Sequence, residues 1–219
     1  MMRALALAWL VCAGVAQAAD MTVLRYVDQD PGDPAYTTRL LVTADYLRMD
    51  AGDDAGDFVL LDRQHKRVRN VMRDSRLVMV FAPGTVPAPS ADWTVHFDIE
   101  PAAAGTVRYR LSVKSHMCSE GIVAPRAAPD VARALAELKS VLAATQYRVW
   151  KDSPATLRHD CDLANLVWDF DALLGQGLPL EEREFNGRTR HFETESREPV
   201  RPELFTIPPD FATLDAPSS

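Results

Sequence analysis

Two copies of one short pattern carry the sharpest chemical signal in the chain, His116-x-Cys118 and His159-x-Cys161. Reduced and brought together, these residues would make a soft two-nitrogen, two-sulfur set for zinc or copper, with the Met117 thioether beside it. Oxidised, the sulfurs form a disulfide and His116 and His159 become nearby polar groups; if Cys161 is helical, His159 points away from it. A second cluster, Asp50, Asp53, Asp54 and Asp57, offers carboxylate oxygens of the kind calcium takes, but its glycines, Gly52 and Gly56, do not fall where the EF-hand loop needs them. A solvated hairpin turn accounts for the same residues. Arg63, His65, Lys66, Arg67 and Arg69 make a local basic cluster, which is also what a charged hairpin end looks like. No nucleophile elbow, phosphate loop, dinucleotide fingerprint or His-Glu-x-x-His motif occurs, so the expectation is a protein without catalysis, and no cofactor is implied.

The remaining candidate is apolar. Phe58-Val59-Leu60-Leu61 and Leu77-Val78-Met79-Val80-Phe81 are hydrophobic on both strand faces, so helix, second sheet or ligand must cover each side. In Trp93–Ile99 and Thr106–Ser115 the odd residues are apolar and the even ones mostly polar, which gives one wet face. A dry apolar pocket would be lined by Phe58, Leu60, Met79 and Phe81, facing Val95, Phe97, Tyr109 and Leu111. The competing reading is an ordinary core sealed by helices.

The elements that must position these residues are mostly strands. Short β-rich runs separated by turn clusters fill residues 22–115, which predicts antiparallel pairing over Thr22–Val27, Arg39–Met49, Phe58–Arg63, Arg67–Met72, Arg76–Phe81, Trp93–Ile99 and Thr106–Ser115. Val131, Leu135, Leu138 and Leu142 recur at helical spacing within Pro129–Thr145. A second helical run leads to Gly175, starting from Ser153-Pro154 or near Asp160. Strand-like text returns at Leu178–Phe185 and Arg188–Glu195 around Asn186-Gly187, a strong hairpin cue. The expected fold class is α+β: a curved antiparallel sheet, with a helical insertion at 129–175 covering its concave face.

Residues 1–18 read as a secretory signal, with Arg3 as the positive region, an apolar run from Ala4 to Val15, and the small-x-small site Ala16-Gln17-Ala18. The run is too short for a membrane span, and no later segment approaches the ~20 apolar residues one requires. A single domain over 19–214 and a frayed tail at 215–219 complete the expected organisation. Losing the signal removes one arginine and no acid and takes the formal net charge from −7 to −8, which argues against a nucleic-acid partner. It also leaves Cys118 and Cys161 alone in an oxidising compartment, where a structural disulfide is the default.

Three groups of residues resemble a known family. Tyr46-Leu47-Arg48-Met49-Asp50, Phe58-Val59-Leu60-Leu61-Asp62-Arg63 and Val68–Met72 look like the opening strands of the outer-membrane lipoprotein carrier (LolA-like) superfamily. Gly177-Leu178-Pro179-Leu180, the Asn186-Gly187 hairpin and Leu204-Phe205-Thr206-Ile207-Pro208 resemble its closing strands. The resemblance implies a half-barrel whose concave apolar face is covered by helices and, in the carriers, receives acyl chains. It departs from the family at the Cys118 and Cys161 pair and at the stretch Pro129–Gly175. The resulting expectation is a periplasmic binding protein for a lipid or other apolar ligand, with an envelope protein as a further partner. The alternatives are an interaction or scaffold module with a solid core, and a copper or zinc binder using His116 and His159.

Overall fold

Alternating apolar residues and short turns build an antiparallel meander from the first half of the chain. Its strands are β1 (Asp20–Gln29), β2 (Tyr36–Val42), β3 (Tyr46–Asp50), β4 (Phe58–Asp62), β5 (Arg67–Met72) and β6 (Leu77–Phe81), each paired with its sequence neighbour. The computed structural model describes residues 20–217, so the signal expected at residues 1–18 lies outside the described residues. The run read as one strand, Arg39–Met49, is two. Thr43 makes the turn without glycine or proline, its hydroxyl accepting the Tyr46 amide at 3.0 Å and the Asp45 amide at 3.3 Å.

A second meander follows: β7 (Val95–Pro101), β8 (Val107–Val113) and β9 (His116–Ala124). β9 was not legible in the sequence because its turn falls on Lys114 and Ser115, non-glycine residues at φ 53° and 102°. Helix α1 (Pro129–Asp152) extends a further two turns beyond the expected end at Thr145. The second helical run is broken into α2 (Asp160–Leu163), a π-helical turn at Ala164–Trp168 and α3 (Phe170–Leu174). β10 (Leu178–Glu184) and β11 (Thr189–Pro199) then form the hairpin predicted at Asn186-Gly187. Finally β12 (Ala212–Asp215) runs parallel to β6, and the Ala216 amide donates to the Val80 carbonyl at 2.7 Å. Asp215, read from the sequence as the start of the tail, is the last residue of this strand.

All twelve strands form one sheet in the order β12-β6-β5-β4-β3-β2-β1-β11-β10-β9-β8-β7, antiparallel except at β12. The two meanders therefore meet where β1 pairs with β11. One consequence is geometric. β6 and β7 lie near opposite ends of the sheet yet are joined by residues 82–94 alone. At about 4.8 Å per strand spacing, a flat sheet would separate them by roughly 48 Å, close to the full reach of so short a segment. The segment also contains a turn, the Trp93 amide donating to the Ser90 carbonyl at 2.9 Å, so the sheet must curl. The fold is α+β, a large curved sheet with its helices on one side.

Each side of the doubly apolar strands has its own cover. On the concave face, α1 packs Val131, Leu135, Leu138 and Val141 against Leu24, Tyr26, Leu40, Leu47, Leu61 and Val68. On the convex face, the segment after β11 lays Leu204 and Phe205 over Met21, Val23, Leu41, Phe58, Leu60 and Val78. The fully buried Arg48 anchors this cover, donating to the Leu204 carbonyl at 2.6 Å and to Asp50 at 2.6 Å, with its guanidinium 4.2 Å from the Phe58 ring centre.

Candidate functional site

The sulfurs of Cys118 and Cys161 are bonded to each other, which ties β9 to α2. A thiolate metal site on this pair is thereby overturned, because both sulfurs are consumed. His116 is exposed at the start of β9, and His159 lies before α2 with its ring 5.2 Å from that of Phe185. Among the described residues no three His, Cys, Asp or Glu side chains converge on one point. The acidic loop is also spoken for. Asp50 accepts both arms of Arg39 at 2.8 Å, Asp54 pairs with Arg39 and Arg201, and Asp53 and Asp57 accept backbone amides. In the basic cluster, Arg63 reaches over to α1, meeting Glu137 at 2.6 Å and Asp130 at 3.0 Å.

The eight residues expected to line an apolar pocket are not brought together around one space: Phe58 borders one depression beside α1 and Phe81 another. Strand alternation sends Phe58 and Leu60 to the convex side, under Leu204 and Phe205, while Val59 and Leu61 face the helices. Met79 and Phe81 alternate onto the concave side with them. Val95, Phe97 and Leu111 pack around the disulfide, and Tyr109 packs with Val123 and Leu173, at the far end of the sheet from β4 and β6. Even spacing alone could not say which parity faces inward, and that parity reverses the assignment for Phe58 and Leu60.

The concave side does contain a cleft, at a different place. A space of about 440 Å³ lies between α1 and the sheet, within the range of about 300–1,000 Å³ usual for small-molecule sites. Its lining is mixed: Met49, Val59, Leu135 and Leu138 are apolar, Lys139, Arg188 and Arg190 are cationic, and Asp50, Asp57, Thr38 and Asn70 add acidic and neutral polar groups. The same three cations border a smaller void of about 80 Å³ beyond it, with Glu182, Glu184 and Asn165. Two other depressions, each of about 560 Å³, also border α1, one lined by Val80, Phe81 and Ala144 and one by Pro129, Ala132 and Leu174. A further one, of 570 Å³, is lined by charged residues of β8 to β11, where the cross-strand neighbours Arg110, Glu120 and Arg183 alternate in sign.

Comparison with known proteins adds little to this geometry. No family model and no curated protein matches the chain. Solved structures similar to it include those of PNGF-II in the C2 and P21 space groups, 8% and 9% identical with TM-scores of 0.35. The alignments cover 90% of this chain and 31% and 32% of those chains, so this chain spans about a third of their length.

Among the charged residues that border the cleft, Arg190 belongs to a buried pair. Arg190 donates to both oxygens of Asp28 at 2.8 and 2.9 Å, and Thr38 adds a third bond at 2.5 Å. Burial alone would raise the Asp28 carboxyl, but the Arg190 fork, Thr38 and the nearby Arg188 charge hold it below the ordinary carboxylate value. Arg190 also loses hydration, which works against its charge, and Asp28 more than restores it. The Tyr26 hydroxyl, pushed up by burial, donates to the Pro179 carbonyl at 3.1 Å, and its ring lies 5.2 Å from the Arg190 guanidinium. Lys139 donates to the Asn165 carbonyl at 3.0 Å; burial pulls its ammonium down, against the opposing pull of Glu182 and Glu184. Burial and the like charge of Glu182 raise Glu184, which Arg188, Lys139 and Arg190 oppose. None of these groups stood out in the sequence, because their partners come from β1, α1, β10 and β11. The Asn186-Gly187 hairpin was the nearest signal, since it fixes Arg188 and Arg190 on one side of β11.

Proposed function

We propose that this protein is a non-catalytic binding protein of the LolA-like type, exported to the periplasm, which takes a lipid or other apolar molecule into the cleft between α1 and the concave sheet. The observation that carries this reading is the cleft itself, to which Met49 and Val59 on the sheet and Leu135 and Leu138 on the helix contribute apolar residues. The short strand motifs around Tyr46–Asp50, Phe58–Arg63 and Gly177–Leu180 support it as a resemblance, and so does the helix-covered curved sheet. The native mass of protein purified from a periplasmic extract, compared with its denatured mass, tests the proposal. Extra mass that passes into organic solvent is the expected result.

A second reading has an observation of its own. The Val131, Leu135, Leu138 and Val141 stripe of α1 already fills much of the concave face, as it would in an interaction or scaffold module with a solid core. A native mass equal to that of the bare, oxidised chain would favour this module and sink the ligand-binding proposal.

A further inference from the structure

β7 closes one end of the sheet, with β8 on one side of it and no strand on the other. Hydrogen bonds at its two ends fix which residues serve β8. The Lys114 amide donates to the Thr94 carbonyl at 2.9 Å and the Ala102 amide to the Thr106 carbonyl at 2.9 Å, so the even-numbered residues exchange bonds with β8. Val95, Phe97 and Ile99 therefore turn their N–H and C=O groups to the open edge, where among the described residues no strand or loop backbone meets them. This free run is bounded on both sides: Pro101 has no N–H, and the Trp93 amide is already given to the Ser90 carbonyl. Native sheets usually guard such an edge with charge or cover it with another element. On β7 the charged residues His96, Asp98 and Glu100 occupy one face, while Ile99 on the other face is 49% exposed.

Those charges repel many strands but not a second copy of this one. Antiparallel pairing about a two-fold axis at Phe97 sets Phe97 against its own copy, Val95 against Ile99 and His96 against Asp98, and the residues that exchange hydrogen bonds are the outward-facing ones. Moving the axis to Asp98 puts two carboxylates opposite each other. Moving it to His96 shortens the ladder, because the Trp93 amide is already committed. The Phe97 register also extends a row of alternating charge that crosses the second meander: Arg183, Glu120, Arg110 and Asp98 are cross-strand neighbours, and His96 of the second copy would come next. On the other face Phe97, whose ring centre lies 6.1 Å from that of Tyr109, and Ile99 gain apolar neighbours in place of water. We propose that the protein forms a two-fold dimer through β7, with the two curved sheets joined edge to edge. A contact of this kind uses the same surface on both copies and so closes at two, leaving β12 at the far ends of the joined sheet. The proposal goes beyond the cleft and does not depend on what the cleft binds.

Sedimentation velocity of the purified protein, over a series from about 1 to 300 μM, tests the proposal. One added strand makes a smaller contact than a standard interface, so the expected result is a reversible monomer–dimer equilibrium in the micromolar range. Two substitutions at one exposed position read the register. His96→Glu, which faces Asp98 of the second copy with a like charge, is expected to weaken the dimer about tenfold, since the two-fold axis counts the change twice. His96→Lys, which keeps an opposite charge there, is expected to hold the dimer or tighten it. Ile99→Pro removes an outward N–H without taking a bond from β8 and is expected to abolish association. Circular dichroism checks that each variant folds. A chain that stays monomeric throughout the series, which needs no variant, overturns the proposal. A dimer that responds alike to His96→Glu and His96→Lys, or is indifferent to Ile99→Pro, overturns the assignment to β7. Species that lengthen with concentration instead of stopping at two overturn the two-fold contact and point to β7 pairing with β12 of the next copy.

Discussion

Asp28 has no exposed side-chain surface and accepts three short hydrogen bonds, so its contribution can be argued from what its loss would leave behind. Asp28→Asn strands the Arg190 guanidinium against a neutral amide, and breaking one partner of a buried pair costs about 3–5 kcal/mol. Urea denaturation at neutral pH measures this directly. The pH dependence has a definite sign. Because the folded-state pKa of Asp28 lies below its ordinary value of 3.8, its contribution is complete above that value and is lost as pH falls through the folded-state pKa. The gap between native protein and Asp28→Asn therefore closes in acid; a gap that stayed constant down to pH 2 would refute the pair's role. Little of this was readable residue by residue. Asp28 and Arg190 stand at opposite ends of the chain, and neither lies in a motif. The two cysteines, by contrast, were readable because the expected removal of residues 1–18 leaves two sulfurs, which have only one intramolecular pairing.

At the scale of elements, the disulfide adds a cross-link between the second meander and the helical layer. It joins positions 43 residues apart, for which chain-entropy reasoning gives about 4 kcal/mol of stabilisation before strain. Cys161→Ser is expected to lower the thermal midpoint by several degrees, consistent with a loss of about 2–5 kcal/mol. A midpoint unchanged in a calorimetric scan would mean that Leu111, Val113 and Ala164 hold α2 without it. The strands with glycine-, proline- or asparagine-marked ends were placed well from the sequence. Those bounded by Thr43 or by Lys114-Ser115 were not, since turn geometry there comes from one hydroxyl bond or from positive φ on ordinary residues. β12 escaped for a different reason. Ala212–Asp215 has no alternation of its own and becomes a strand only because the open edge of β6 supplies its partner.

For the whole molecule, the informative contact is the convex cover. Two-faced strands in β4 and β6 announced that something must lie on each side, but only the fold shows that one cover is α1 and the other is the segment carrying Leu204 and Phe205. Phe205 is nearly buried and stacks on Tyr46 with ring centres 5.7 Å apart. Phe205→Ala is expected to cost about 3–5 kcal/mol in urea denaturation, like other large aromatic truncations in cores. A cost below 1 kcal/mol would show that the segment merely lies on the sheet. The same segment carries part of the family resemblance, so a stretch read as a closing motif is here a structural lid on the outside of the curve.

The seam between the two meanders has a kinetic meaning. β1 finds β2 within a few residues, but its other edge pairs with residues 189–199. As the chain emerges, the first meander can zip up locally while one side of β1 stays open until almost the whole polypeptide is available. Loop closure over that span, rather than hairpin formation, then sets the pace of folding, as in other topologies dominated by distant pairings. Until the seam closes, the half-built sheet presents an unpaired strand edge to any other chain nearby, the arrangement most prone to strand exchange between copies.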